Sequence, residues 1–164
     1  MANVGFTGGS LLCEEGPPSD MVVFFNCLRL CAAEAGPSSC ELALVDRLYR
    51  RYLKLDELDA ALAFMTKAKD RLAQASAAKF DWTEAGLDPA RTQLILSGST
   101  LAAVFERYFQ DFPRCVDSAR SFFARWNIHQ PVRVVKSHVT DFTDEKKRPL
   151  EEYDQLDGDP FWLR

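Results

Sequence analysis

Between Leu44 and Leu72 the apolar side chains Leu44, Leu48, Tyr52, Leu55, Leu58, Leu62, Met65 and Leu72 recur mostly three or four residues apart. That spacing is the stripe of an α-helix with one buried face. Just upstream, Ser38-x-x-Glu41 has the form of a capping box, in which each side chain satisfies a backbone N–H at a helix start. Asp56 and Asp59 can restart the helix, so the stripe predicts two consecutive helices meeting near Lys54–Asp56 and packing as a hairpin or a kinked pair. A second apolar face runs through Leu101, Val104, Phe105, Tyr108, Phe109 and Phe112 and continues through Cys115, Ala119, Phe122, Phe123 and Trp126. Ser99 or Thr100 can cap it, and Pro113, which has no N–H, is expected to kink or restart it.

Other segments follow a different rhythm. Val4 to Leu12 is short, mildly apolar and punctuated by Gly8-Gly9, which predicts a strand or hairpin turning at the glycines; Glu14–Pro18 reads as a loop. Ser19 to Ala35 is ambiguous between strand and helix. Val22-Val23-Phe24-Phe25 favours a strand by propensity, whereas a Ser19 or Asp20 cap and the Gly36-Pro37 stop favour a helix, the reading adopted. Phe80 to Pro89 is loop, Gln93–Leu96 a short strand ended by Ser97-Gly98-Ser99, and Val132–Val139 the best strand in the chain. The expected fold class is α+β, a mostly helical core with a small sheet on one side, in a single domain over residues 1–164.

Composition narrows the function. Apolar residues make up 47% of the 164, with twelve phenylalanines, enough for a sizeable core and too many for a disordered chain. The net charge is −4. Residues 141–164 hold eight acids and four bases, and the other 140 residues hold sixteen of each, so the whole surplus sits in an acidic, aromatic C-terminal segment. An acidic chain disfavours nucleic acid as a direct ligand, because phosphate binding needs a clustered basic field. The basic runs Arg47-Arg50-Arg51-Lys54 and Lys67-Lys69-Arg71 alternate with acids and read as solvated helix faces. Neither a signal peptide nor an apolar stretch long enough to span a bilayer is evident. Five cysteines, an odd number, point to reduced thiols and a cytoplasmic location.

Candidate chemistry is thin. Cys27 and Cys31 share a helix face, but no second ligand pair at zinc spacing accompanies them, and small buried core residues are the favoured reading. No metal or other cofactor is expected. The histidines, His129 and His138, lie near no nucleophile signature, although Cys115 with His138 is arithmetically possible. Thr7-Gly8-Gly9-Ser10 lacks the Gly-Lys-Ser/Thr of a phosphate loop. The chain therefore reads as a non-enzymatic binder, and aromatics interleaved with acids in its last two dozen residues suit a basic partner protein.

Taken together, the segments MVVFFNCLRLCAAEA (21–35), LVDRLYRRYLKLDELDAALAFM (44–65), LSGSTLAAVFERYF (96–109) and KRPLEEYDQLDGDPFWLR (147–164) resemble an immunity protein of a bacterial contact-dependent growth inhibition or polymorphic-toxin system. The resemblance implies a cytoplasmic antidote that binds the toxic C-terminal domain of a cognate effector and blocks it. Many such toxins resemble nucleases with basic substrate clefts, against which an acidic inhibitor mimics nucleic acid. The residues expected to meet the partner are Asp141, Asp144, Glu145, Glu151, Glu152, Asp154, Asp157 and Asp159, with Tyr153 and Trp162 as hydrophobic anchors. Docking of Phe161-Trp162-Leu163 onto the chain's own core is the competing reading for the aromatics. The alternative function is a scaffold or regulatory adaptor using the Leu44–Leu72 helical surface as a homodimer, and a third is a hydrolase or transferase using Cys115, His129 or His138.

Overall fold

The computed structural model describes residues 2–36, 39–97, 99–137 and 158–163. The chain opens with a hairpin, β1 (Val4–Gly8) and β2 (Leu11–Gly16), that turns at Gly9-Ser10 as the glycine pair predicts. β3 (Arg133–Lys136), from the best strand of the sequence, pairs antiparallel with β1 to give the order β2-β1-β3. The second strand runs through Glu14-Glu15 to Gly16, where a loop was expected. Glu14 and Glu15 alternate outward and inward on the pleat, so a pair that reads as polar loop is a strand with one acid buried.

Among the described residues five α-helices pack on one another, and the first, second and fifth of them meet this sheet. Ser19–Ala35 resolves as a helix, α1 (Pro18–Ala33), entered through Pro17-Pro18 without a side-chain cap. Proline suits this first turn because its missing N–H would have no intrahelical partner. Asp20 is instead buried and accepts the Gln93 amide at 2.9 Å. α2 (Cys40–Arg50) is capped by Ser39, whose hydroxyl accepts from Leu42 N at 3.1 Å. The cap thus lies one residue later than the box that was expected. Glu41, the other half of that box, pairs with Lys67; Ser38 lies outside the described residues.

The predicted break is present. α2 ends at Arg50, Leu53 bridges to Val132, a 3₁₀ turn spans Leu55–Glu57, and α3 (Leu58–Leu72) follows. Leu44, Val45 and Leu48 of α2 face Ala61, Phe64 and Met65 of α3 across the core. Thr100 caps α4 (Leu101–Val104), its hydroxyl accepting from Ala103 N at 3.2 Å. The interruption then comes at Phe105 rather than at Pro113, and α5 (Glu106–Trp126) runs on through the proline. Phe112 and Cys115 are fully buried on either side of it, so packing holds the helix where propensity alone would end it. The apolar face of α5 is buried as far as Ala119. Phe122 and Phe123 are only half-buried and Trp126 is 56% exposed, so the stripe leaves the core before Asn127, which closes the helix with a left-handed φ of 53°.

Gln93–Leu96 is not a strand. The Gln93 amide goes to Asp20 and the Leu94 amide to Thr92 Oγ1, so the segment is pinned by side chains and needs no ladder. The sheet meets α5 at very short range. A Cβ built on Gly8 would lie 2.2 Å from the Cys115 carbonyl oxygen and one on Gly9 2.4 Å from that of Ser118. Only glycine lets backbone approach backbone this closely. The core between these layers is aromatic: Phe24 meets Phe6, Phe25, Phe105, Tyr108 and Phe109, most of them edge-on.

Candidate functional site

The C-terminal segment returns to the body at a defined seat. Residues Phe161–Leu163 form a 3₁₀ turn, closed by Leu163 N donating to Pro160 O at 2.9 Å. Trp162 is 3% exposed. Its indole Nε1 donates to the Tyr49 carbonyl at 2.9 Å, and its ring lies 5.3 Å from Tyr49 and 6.5 Å from Phe25. Arg29 completes the seat, its guanidinium 4.2 Å above the Tyr49 ring. Burial is the main reason the Tyr49 phenol is held above its ordinary pKa, with the Arg29 cation opposing. One residue pair earlier, Arg50 Nη1 donates to the Gly158 carbonyl at 2.7 Å. Sequence dictates the seat simply: Phe25, Arg29 and Tyr49 lie on the facing sides of α1 and α2, which pack together.

Of the residues expected to meet a partner, Asp159 and Trp162 are described. Asp159 is exposed beside the seat, where its charge acts on the Tyr49 phenol. Trp162 is packed against the core, so in this arrangement its ring fixes the chain. Asp141, Asp144, Glu145, Glu151, Glu152, Tyr153, Asp154 and Asp157 lie outside the described residues. The segment that carries them leaves from one fixed point and returns to another. Ser137 N donates to Asn3 O at 2.8 Å at the end of β3, and Gly158 is held by Arg50.

The basic runs of the body are largely matched by acids. Arg47 pairs with Glu57 at 3.2 Å, Arg50 with Asp46 at 3.6 Å, Lys67 with Glu41 and Lys69 with Glu106 at 3.0 Å, and Arg71 with Glu34. The described surface is thus laced with pairs of both signs. The Leu44–Leu72 stripe is also committed: Leu44, Leu48, Tyr52, Leu58, Met65 and Leu72 are buried and Leu55 and Leu62 half-buried. A scaffold that works through this stripe would have to unpack the core.

No protein-family model matches the chain, and neither a curated protein nor a solved structure matches it.

The candidate nucleophile is poorly placed for catalysis. Cys115 is fully buried and its thiol donates to Phe6 O at 3.4 Å; burial first, then neighbouring Cys13, pushes its pKa well up. The thiol form is inert as a nucleophile. His129 is exposed and lies tilted against Phe123 with ring centroids 4.5 Å apart, and His138 lies outside the described residues. Cys27 and Cys31 are buried in the core, and burial lifts the Cys27 thiol to about 12. Among the described residues no group of three or more His, Cys, Asp or Glu is arranged to hold a metal, and no helix is long and apolar enough to cross a membrane.

Sequence reasoning missed an apolar cavity of about 430 Å³ between the α2–α3 connection and the loop before β3. Tyr52, Leu55, Phe123 and Pro131 line it together with Lys54 and His129. Trp126 and the 48%-exposed Ile128 lie a few residues away along the chain. The excess of large apolar side chains at the end of the α5 stripe, Phe122, Phe123 and Trp126, is a sequence signal that could have pointed to it.

Proposed function

We propose that the protein is a non-enzymatic, cytoplasmic immunity protein that binds the toxic C-terminal domain of a contact-dependent inhibition effector and occludes it. The observation that carries this reading is where the uncompensated charge lies. Residues 138–157 hold seven acids and three bases, which is the whole net charge of −4, and the body around them is ion-paired. Such a net-acidic segment steers a basic partner into contact and repels anions. It is tethered at both ends, by the sheet at Ser137 and by the Trp162 seat. A tethered segment has less conformational freedom to lose on binding than an open tail. A basic cleft of the kind that holds nucleic acid is the partner surface it fits, and nuclease inhibition is the corresponding mode of action.

Co-purification with the C-terminal domain of an effector encoded beside this protein, followed by rescue of cells expressing that domain, tests the function. A tight complex with rescue is expected; no complex and no rescue overturns the reading for that pair. Replacement of Glu151, Glu152 and Asp154 by Lys should weaken the complex strongly at low salt and less at high salt. Unchanged affinity at low salt removes the acidic segment from the interface.

A further inference from the structure

Glu15, at the end of β2, is a carboxyl group in an unusual place. Its side chain is completely enclosed, and neither oxygen has a hydrogen-bond partner. The nearest cation, Arg107 of α5, stands 3.7 Å away, is 63% exposed and is shared with Asp111 at 3.5 Å. Asp111 is better served, because Arg114 also contacts it at 2.7 Å. An enclosed carboxylate with half a cation and no donor is expensive to keep charged.

The Glu15 and Asp111 carboxyls converge on one atom, with Arg107 Nε 3.7 Å from Glu15 Oε2 and 3.5 Å from Asp111 Oδ2. Two carboxylates cannot hydrogen-bond to each other, and among the described residues no other donor reaches either Glu15 oxygen. One proton placed between them supplies the missing donor and removes one of the two like charges. We propose that Glu15 and Asp111 hold a single shared proton and act as a pH-operated latch between strand β2 and helix α5.

The groups facing Glu15 come from three elements. From α5 they are Arg107, Tyr108, Asp111 and Cys115 and from β2 Cys13, while Arg114 reaches the pair through Asp111 and Asp20 of α1 through Tyr108. The Tyr108 hydroxyl, itself buried without a partner, feels the charges of both Asp20 and Glu15 and is kept protonated. Cys13 and Cys115 are held as thiols by burial and by Asp111. Arg107 is thus the principal group that opposes protonation of Glu15, and it also donates to the Glu14 carbonyl. Burial and the Asp111 charge outweigh it and bring Glu15 from 4.5 to about 8. The native state keeps a proton that the unfolded chain gives up near 4.5, so stability falls as pH rises between those values and levels off above about 8.

Urea unfolding of the full chain, of Glu15→Gln and of Asp111→Asn between pH 5.5 and 9 tests the latch. Relative to Glu15→Gln, the wild type should lose about tenfold in its folding equilibrium constant per pH unit up to about pH 8, the slope for one proton. Asp111→Asn should move the end of that slope to lower pH, since it removes the like charge. Equal pH slopes for wild type and Glu15→Gln overturn the proposal, and an unmoved midpoint in Asp111→Asn overturns the sharing. If a variant does not fold, the infrared carboxylic-acid carbonyl band of the wild type decides: present at pH 6.5 and lost by pH 9.5 supports the latch, and absence at pH 6.5 refutes it.

Discussion

Truncating Trp162 to alanine tests whether the C-terminal seat is structural. A buried tryptophan removes roughly 200 Å² of surface from water, worth about 5 kcal/mol at about 25 cal/mol per Å². The indole hydrogen bond to Tyr49 O adds about 1 kcal/mol. Part of this is offset by the backbone freedom that an undocked turn regains, so Trp162→Ala is expected to cost about 3 kcal/mol, the low end of the range for large-to-small aromatic substitutions. Trp162→Phe keeps a ring between Phe25 and Tyr49 but loses the donor, and should cost about 1 kcal/mol. Urea unfolding followed by far-ultraviolet circular dichroism measures both. A Trp162→Ala variant within 0.5 kcal/mol of wild type would refute the seat, on a scale where that indole hydrogen bond alone is worth about 1 kcal/mol.

Other residues give independent checks. Gly8→Ala places a methyl group 2.2 Å from the Cys115 carbonyl, so sheet and α5 must separate; a thermal melt should show a loss of at least about 2 kcal/mol. Ser39→Ala removes the α2 cap and should cost about 1 kcal/mol by urea unfolding, whereas alanine at Ser38 would be the more costly if the box were centred there. In native buffer near neutral pH, a thiol reagent should modify the exposed Cys40 quickly. Cys13, Cys27, Cys31 and Cys115 should react only as fast as the protein opens, since all four are buried and their thiols held above the ordinary pKa.

Local signals with one cause were legible. The Gly8-Gly9 turn, the stripe broken near Lys54 and the Thr100 cap each follow from residues within a few positions of one another. What sequence did not disclose depends on residues far apart in the chain. Glu14-Glu15 looks like loop until Arg107 and Asp111, more than ninety positions on, give Glu15 a place to be buried. Gln93–Leu96 looks like a strand until Asp20 takes its amide. Pro113 looks like a break until Phe112 and Cys115 are seen packed beside it. The aromatic ending showed that a hydrophobic anchor existed, but whether it served the chain or a partner turned on Tyr49 and Phe25, which nothing near the C-terminus announces.

Anchor and charge can be separated experimentally, and the proposed function requires both. Trp162→Ala leaves every acid in place and converts a segment fixed at Ser137 and Gly158 into an open tail. Its association with a basic partner should weaken while the dependence on salt stays the same, because the charges that steer the encounter are unchanged. Replacement of Glu151, Glu152 and Asp154 by Lys leaves the seat intact and should flatten the salt dependence itself. Should Trp162→Ala flatten the salt dependence as well, the seat would be positioning charges, and the acids that contact the partner would have to lie close to Asp159. Should it leave affinity untouched, tethering would contribute nothing to binding, and the acidic segment would act as a simple polyanion.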